Sequence, residues 1–338
     1  MTATDFSKRL TEFLASYLPG EKGASINTIN SYRDTFVLLL QYFKVERNIP
    51  AERLVLQHIN KDAVTDFLHW IENVRECSPA TRNVRLAAIH SFFRYLQYRN
   101  PVEIHQWQEV LSIPVKRTEK PTINYLSVEA VRLILAEPDL ATRRGRRDLA
   151  LLALMYDSGS RVQELIDLSP SMVRLDPPCT VKLIGKGNKA RIVPLLEDQT
   201  KHLRLYMKEN GLLEPYANLY PLFSNSKREK LTRAGVNYIL KKYADNVRIK
   251  NPTQIPDKLS CHSIRHSLAV HLLQAGVNLV YIRDILGHAS VQVTEIYAKT
   301  DSKLKREAIE RAYTDKTPES VPSWLANNDL LSWLKSFS

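Results

Sequence analysis

The 338-residue sequence predicts a mainly α-helical chain with one small antiparallel β-sheet in its second half, an α+β fold shared between two domains. Three observations predict it. Apolar residues recur at helical spacing through most of the chain. The rhythm changes over residues 180–194, where Val181, Leu183, Ile192 and Val193 alternate or cluster around Gly185-Lys186-Gly187, as in a β-hairpin with a glycine-rich turn. Residues 101–124 break the helical pattern with Pro101, Pro114 and Pro121 and turn basic at Lys116, Arg117 and Lys120, as an extended interdomain linker does.

Taken in order, the first helix is read from Phe6, Leu10, Phe13, Leu14 and Tyr17, before Pro19-Gly20. Whether it packs on its own domain or on a neighbour is open at this point. The second runs from Ser25 to Phe43 with Ile26, Ile29, Phe36, Leu39, Leu40 and Phe43 as its stripe. The third starts near Asn60 and carries Val64, Phe67, Leu68 and Ile71. The fourth has Ser78 as N-cap and Pro79 in its first position, and places Val84, Ala88, Phe92 and Leu96 inward. Arg82 and Arg85 lie one turn apart near its start.

The second half opens with a helix capped by Ser127. The basic cluster 143–147 precedes an apolar helix, and is read either as a solubilising helix start or as a phosphate contact. Helices resume over about 197–210 and 232–248. Gly276 and Gly287 then cut the apolar pattern of 260–300 into short connected helices. A charged helix is expected over 301–313, a hinge over 314–321, and an amphipathic end with Trp324 and Trp333. The predicted division is a helical domain over 1–110, a basic linker over 111–124, a second domain over 125–313, and a hinge with a terminal amphipathic helix over 314–338, read either as folding back in cis or, the favoured reading, as a subunit contact.

The net charge of +12 and a pI near 9.5 point to a polyanionic partner. With no cationic amphipathic anchor in view, nucleic acid is favoured over a membrane surface, and charge alone does not separate DNA from RNA. No apolar run approaches a membrane span and the first residues do not read as a signal peptide, so a cytoplasmic, nucleoid-associated protein is expected. Cys77, Cys179 and Cys261 have neither disulfide nor zinc spacing, so they read as unpaired thiols, with no metal or cofactor expected.

The stretch from Ser260 to Thr300 concentrates the chemistry. It holds His262 and Arg265 as a His-x-x-Arg pair, then His288 in a Leu-Gly-His triplet, then Tyr297. Arg161 follows a Ser-Gly-Ser break, and Lys186 sits between two glycines. Each motif alone is weak, since the chain has 15 tyrosines and a lone His-x-x-Arg is common. Their joint order inside a basic chain is specific. This set resembles the tyrosine recombinase (phage integrase) family, most closely its Xer-like and transposon-borne members, over roughly residues 25–315. The family pattern of Arg, Lys, His-x-x-Arg, His or Trp, and Tyr is filled by Arg161, Lys186, His262, Arg265, His288 and Tyr297.

The resemblance implies a two-domain DNA clamp. A SAM-like core-binding domain would lay its second and fourth helices across DNA grooves, and a catalytic domain would cleave. It also implies a homotetramer on two double-stranded recombination sites, with an accessory recombination protein possible. The chemistry suits these residue types. A phenol can hold a covalent phosphate, but about one in a thousand is ionised at neutral pH, a cost of roughly 4 kcal/mol. His262 is the candidate to accept or orient its proton. Arg161 and Arg265 can grip the phosphorane oxygens with paired donors, and His288 can add a hydrogen bond. Lys186 would protonate the leaving 5′-oxygen, with Lys189 as fallback. Glu164, one turn past Arg161, is expected to orient an arginine. His266 borders the site, and both it and His271 are expected in packing roles. Tyr281 is read as structural, and Cys261 as a buried small residue. The alternatives are a type IB topoisomerase-like relaxing enzyme and a catalytically silent DNA-binding accessory protein.

Overall fold

A computed structural model describes residues 3–118 and 123–300, together with Ser332 and Lys335. Apart from those two positions, the helix expected over 301–313 and the tryptophan-bearing segment within 314–338 lie outside the described residues. The chain separates into two compact units, Met1–Pro121 and Thr122–Ser338.

The first unit is helical: α1 Asp5–Glu12, running on as π-helical turns over Phe13–Glu21, then α2 Ile26–Glu46, α3 Lys61–Asn73, α4 Pro79–Arg99 and α5 Ile104–Leu111. Side-chain caps start them, Ser25 accepting from the Thr28 N–H, Asn60 from Ala63 and Ser78 from Thr81. The first helix packs on its own unit. Phe6 and Phe13 are buried against Phe36 and Phe92, and the Tyr95 hydroxyl donates to Glu12 at 2.8 Å.

Two expectations shift here. In α4 the buried face follows Arg82, Leu86, Ile89, Phe93 and Leu96, so Val84, two residues out of phase, is 51% exposed. Arg82 is buried and donates to the Pro114 carbonyl, while Asn83 pairs with both the N–H and the carbonyl of Lys116. The segment after residue 101 is also not extended throughout. Pro101 opens a helical turn rather than ending structure, and α5 buries Trp107 and Val110. Ile113 still belongs to this core.

The second unit contains α6 Val128–Ala136, α7 Arg143–Asp157, α8 Val162–Ile166, strands β1 Val173–Arg174, β2 Thr180–Ile184 and β3 Ala190–Pro194, then α9 Glu197–Glu209, α10 Arg233–Lys250, α11 Cys261–Gln274, α12 Leu279–Leu286 and α13 Val291–Thr300. The sheet is antiparallel in the order β1-β2-β3, with Val181 opposite Val193 and Leu183 opposite Arg191. Its β2–β3 turn is closed by the Gly185 N–H donating to the Lys189 carbonyl at 2.8 Å. Ser127 caps α6, and Gly287 ends α12 at φ 63°. Two apolar clusters fill the unit, and the smaller one, around Leu268, Ile282 and Leu286, includes Tyr297.

Candidate active site

Four short elements converge beside this smaller cluster. The turn at Gly159 brings in Arg161 at the start of α8. A side chain at Gly159 would meet Leu286 and Leu268 at 2.7 and 2.8 Å, and its φ of 55° suits glycine, so the close approach of this turn to α11 and α12 requires that residue. Helix α11 supplies His262, Arg265 and His266. The turn after α12 supplies His288, and α13 supplies Tyr297.

Arg265 is 1% exposed. It donates to the carbonyls of Gly159 at 2.6 Å and Leu286 at 2.5 Å, the free carbonyls of two chain turns. Burial, then the charges of Arg161 and Arg191, pull its guanidinium down to about 9. Arg161 is held differently. It donates to Glu164 at 2.7 Å from its guanidinium, and its own N–H donates to the same carboxylate at 2.9 Å. Arg191 grips Glu164 from the other side at 3.1 and 2.7 Å and donates to the Ile285 carbonyl at 2.8 Å. Burial alone would raise the Glu164 carboxyl, but the hydrogen bonds from Arg191 and Arg161 hold it below its ordinary value.

Tyr297 is 1% exposed. Its hydroxyl lies 2.8 Å from His266 Nδ1. Burial raises the phenol pKa above its ordinary value, against the opposing pull of Arg265 and Arg161, so the phenol is neutral at pH 7. The His288 ring stacks near Tyr297, with centroids 6.3 Å apart, and its Nδ1 bonds the buried Thr294 hydroxyl at 2.9 Å, which leaves its other ring nitrogen for a ligand. His266 and His288 are both brought down to about 4, chiefly by burial and then by neighbouring histidine and arginine charge. His262 is exposed at the first turn of α11, its ring 4.2 Å from that of His266. Beside these groups opens a cleft of about 510 Å³ whose lining includes Arg161, Gly185, Lys189, Arg191 and His288.

Arg161, His262, Arg265, His288 and Tyr297 therefore sit together. Lys186 has its backbone in the β2–β3 turn, and its side chain lies outside the described residues. Residues 124–303 match the Phage integrase family, and residues 10–100 match the Phage integrase N-terminal SAM-like domain. The chain belongs to the phage integrase family. It is 33% identical to the tyrosine recombinase XerC of Herpetosiphon aurantiacus over 86% of this chain and 90% of that one. It is 34% identical to y4rC of Sinorhizobium fredii, a candidate integrase/recombinase by name, over 97% of both chains. Among solved structures it is similar to the XerH site-specific recombinase bound to a palindromic difH substrate, with a TM-score of 0.69 and 25% identity over 87% of this chain and 82% of that one.

Two details of this integrase-family site differ from the sequence reading. The imidazole bonded to the phenol is His266, not His262. One helical turn separates them, and it is the later one that faces α13. Arg191 was not singled out at all. The signal available was strand phase. Arg191 shares the inward face of β3 with buried Val193, while Ile192 between them is 70% exposed. A charged residue on an inward strand face needs a partner, and Glu164 is that partner. Cys261 is buried, and burial pushes its thiol up to about 11, as suits an inert thiol.

Proposed function

We propose that this chain is a site-specific DNA recombinase that cleaves and rejoins duplex DNA through a 3′-phosphotyrosine on Tyr297. The observation that carries this reading is the placement of one buried phenol beside two arginines and a histidine on a single cleft-side cluster. In the first step the Tyr297 oxygen bonds to phosphorus and the bond to the 5′-oxygen breaks. Arg161, Arg265 and His288 hold the non-bridging oxygens. Lys186 is assigned the proton for the leaving 5′-oxygen, from its place in the glycine-flanked turn. Rejoining reverses the sequence with a 5′-hydroxyl from a partner strand, so exchange passes through a Holliday junction.

The charge count supports this chemistry. Arg161, Arg191 and Arg265 face one carboxylate, Glu164, a surplus of two positive charges beside neutral histidines. A phosphodiester carries one negative charge and its phosphorane two. The site therefore complements the transition state better than the ground state, which is the condition for rate acceleration. The division of labour follows the sequence reading: residues 1–110 grip DNA, 125–313 carry out the chemistry, and 314–338 contact a neighbouring subunit. The working form would be a homotetramer on two double-stranded sites in the cytoplasm, near the nucleoid, with room for an accessory protein.

The test is covalent trapping on nicked suicide duplexes of candidate junction DNA, with EDTA present. The wild type should form a protein–DNA adduct on a 3′-phosphate, and Tyr297→Phe none, a loss beyond about 10⁴-fold. An adduct that persists in Tyr297→Phe would overturn the nucleophile, and sequence-specific binding without any wild-type adduct would overturn the enzyme.

A further inference from the structure

The sequence assigned the phenol to His262, yet the structure puts another imidazole on it. We infer that His266 is the group that holds Tyr297 for attack and takes its proton, an assignment that rests on the recombinase reading above.

The geometry is direct. His266 Nδ1 is 2.8 Å from the Tyr297 oxygen, inside hydrogen-bond range for O–H···N. The neutral phenol has a proton to donate, and in the Nε2–H tautomer of a neutral imidazole Nδ1 is free to accept it. His266 is assigned this tautomer, with the ring proton on Nε2 and Nδ1 accepting. Helix α11 fixes this pose. His266 follows Arg265, whose side chain is locked by two carbonyls, and it precedes Ser267, whose hydroxyl is pinned by the Ser263 carbonyl at 2.8 Å. His262 stands one turn away and, among the described residues, makes no hydrogen bond to α13.

The groups facing His266 are His262 and Arg265 from its own helix, His288 from the turn after α12, and Tyr297 from α13. From α7, Tyr156 bonds His271, further along α11. Among the described residues, none of these is a carboxylate on His266, so its low basicity follows from burial and positive neighbours. A weak base is sufficient here. As the Tyr297 oxygen bonds to phosphorus its proton becomes strongly acidic, and the phosphorane's added charge beside Arg265 raises the basicity of the imidazole at the same moment. The balance is complete. The O–P bond forms, the phenol proton moves to Nδ1, and the 5′-oxygen leaves with a proton from the opposite side of the site.

The experiment uses the full chain and single-turnover adduct formation across pH 5.5–9, on a duplex with the natural 5′-oxygen leaving group and on one with a 5′-bridging sulfur. Sulfur leaves without acid assistance, so it isolates the nucleophile side. His266→Asn keeps an acceptor near the Nδ1 position but cannot take a proton, and His266→Phe keeps only the shape. The expected result is a wild-type rate that is flat near neutral pH. The Asn variant should be slower by about 10²-fold at pH 7 and rise about tenfold per pH unit, because hydroxide must now do the work. The Phe variant should be slower still. Both defects should persist on the sulfur substrate, and His262→Gln, whatever its rate, should keep the wild-type pH slope. Wild-type rates in both His266 variants, or a change of slope in His262→Gln instead, would overturn the assignment while leaving the recombinase standing. Absence of any wild-type adduct would overturn both. Should His266→Phe not fold, the Asn profile alone decides.

Discussion

Arg265 and Arg161 are the same side chain in the same cluster, held by opposite means. Arg265 is 1% exposed and rests on two backbone carbonyls. Arg161 has 37% of its side chain exposed and rests chiefly on a carboxylate that Arg191 shares, with one longer bond, 3.4 Å, to the Gly287 carbonyl. Carbonyl dipoles solvate a cation without cancelling its charge, whereas a carboxylate cancels it. Arg265 therefore keeps its full charge in a poorly solvated place, which is why burial and the like charges of Arg161 and Arg191 bring it down to about 9. The pair teaches that two arginines in one site can divide the work: one supplies field strength, the other supplies geometry that its carboxylate fixes.

The largest expected effect breaks that division directly. Arg265→Ala should lower the single-turnover cleavage rate by about 10³-fold and Arg161→Ala by about 10²-fold, since a buried, uncancelled donor aimed at developing charge is worth more than a partly screened one. The lysine variants sharpen it. Lysine cannot bridge two carbonyls with a planar fork and deprotonates readily when buried, so Arg265→Lys should be nearly as slow as Arg265→Ala. Arg161→Lys should recover part of its rate. Equal losses in both alanine variants, with equal rescue by lysine, would show that the two arginines are interchangeable.

Glu164 is the next target, since it separates the two arrangements. Its side chain is 4% exposed and accepts four hydrogen bonds, two from Arg161 and two from Arg191. Glu164→Gln leaves two guanidiniums facing each other without their carboxylate. Breaking one member of a buried charge network costs about 3 kcal/mol, so the variant should melt several degrees lower by calorimetry. Its cleavage rate should fall about tenfold through misplacement of Arg161, with the Arg265 contacts unchanged. A variant that melts normally but loses cleavage as fully as Arg265→Ala would mean that Glu164 acts on the reaction itself.

How much of this was legible in the sequence follows from the physical nature of each signal. Local signals were readable: Ser25, Asn60, Ser78 and Ser127 cap helices because a short oxygen side chain before an apolar stripe has one favoured use. The hairpin was readable because period two replaces period 3.6, although β1, only two residues long, carries too little pattern to detect. Nonlocal signals were not readable. Arg191 meets Glu164 across 27 residues and Ile285 across 94, and His266 meets Tyr297 across 31. Spacing within α11 places His262, Arg265 and His266 on known faces, but which face meets α13 depends on packing around Leu268, Ile282 and Leu286. Arg82 shows the same limit. A charged residue at the start of an exposed-looking helix turned out to be buried against Pro114, a contact 32 residues away.

The smallest expected effect lies in stability. His266 and His288 are held near 4 in the folded chain, first by burial and then by neighbouring charge, against about 6.5 when unfolded. The unfolded chain therefore takes up protons first as pH falls. Their contribution is complete above about pH 6.5 and is lost as the pH drops toward 4. Asp157 acts in the opposite sense. Burial raises it to about 6, so the folded chain gains that proton first and part of the loss is offset over the same range. Amide exchange of α11 should show opening free energies that fall between pH 6.5 and 4. His288→Gln should remove up to one proton from the slope, and His266→Asn a second. If the double variant keeps the wild-type slope, the lost stability belongs to the Glu164 carboxylate shared by Arg161 and Arg191, and the carbonyl-held half of the site is the pH-insensitive one.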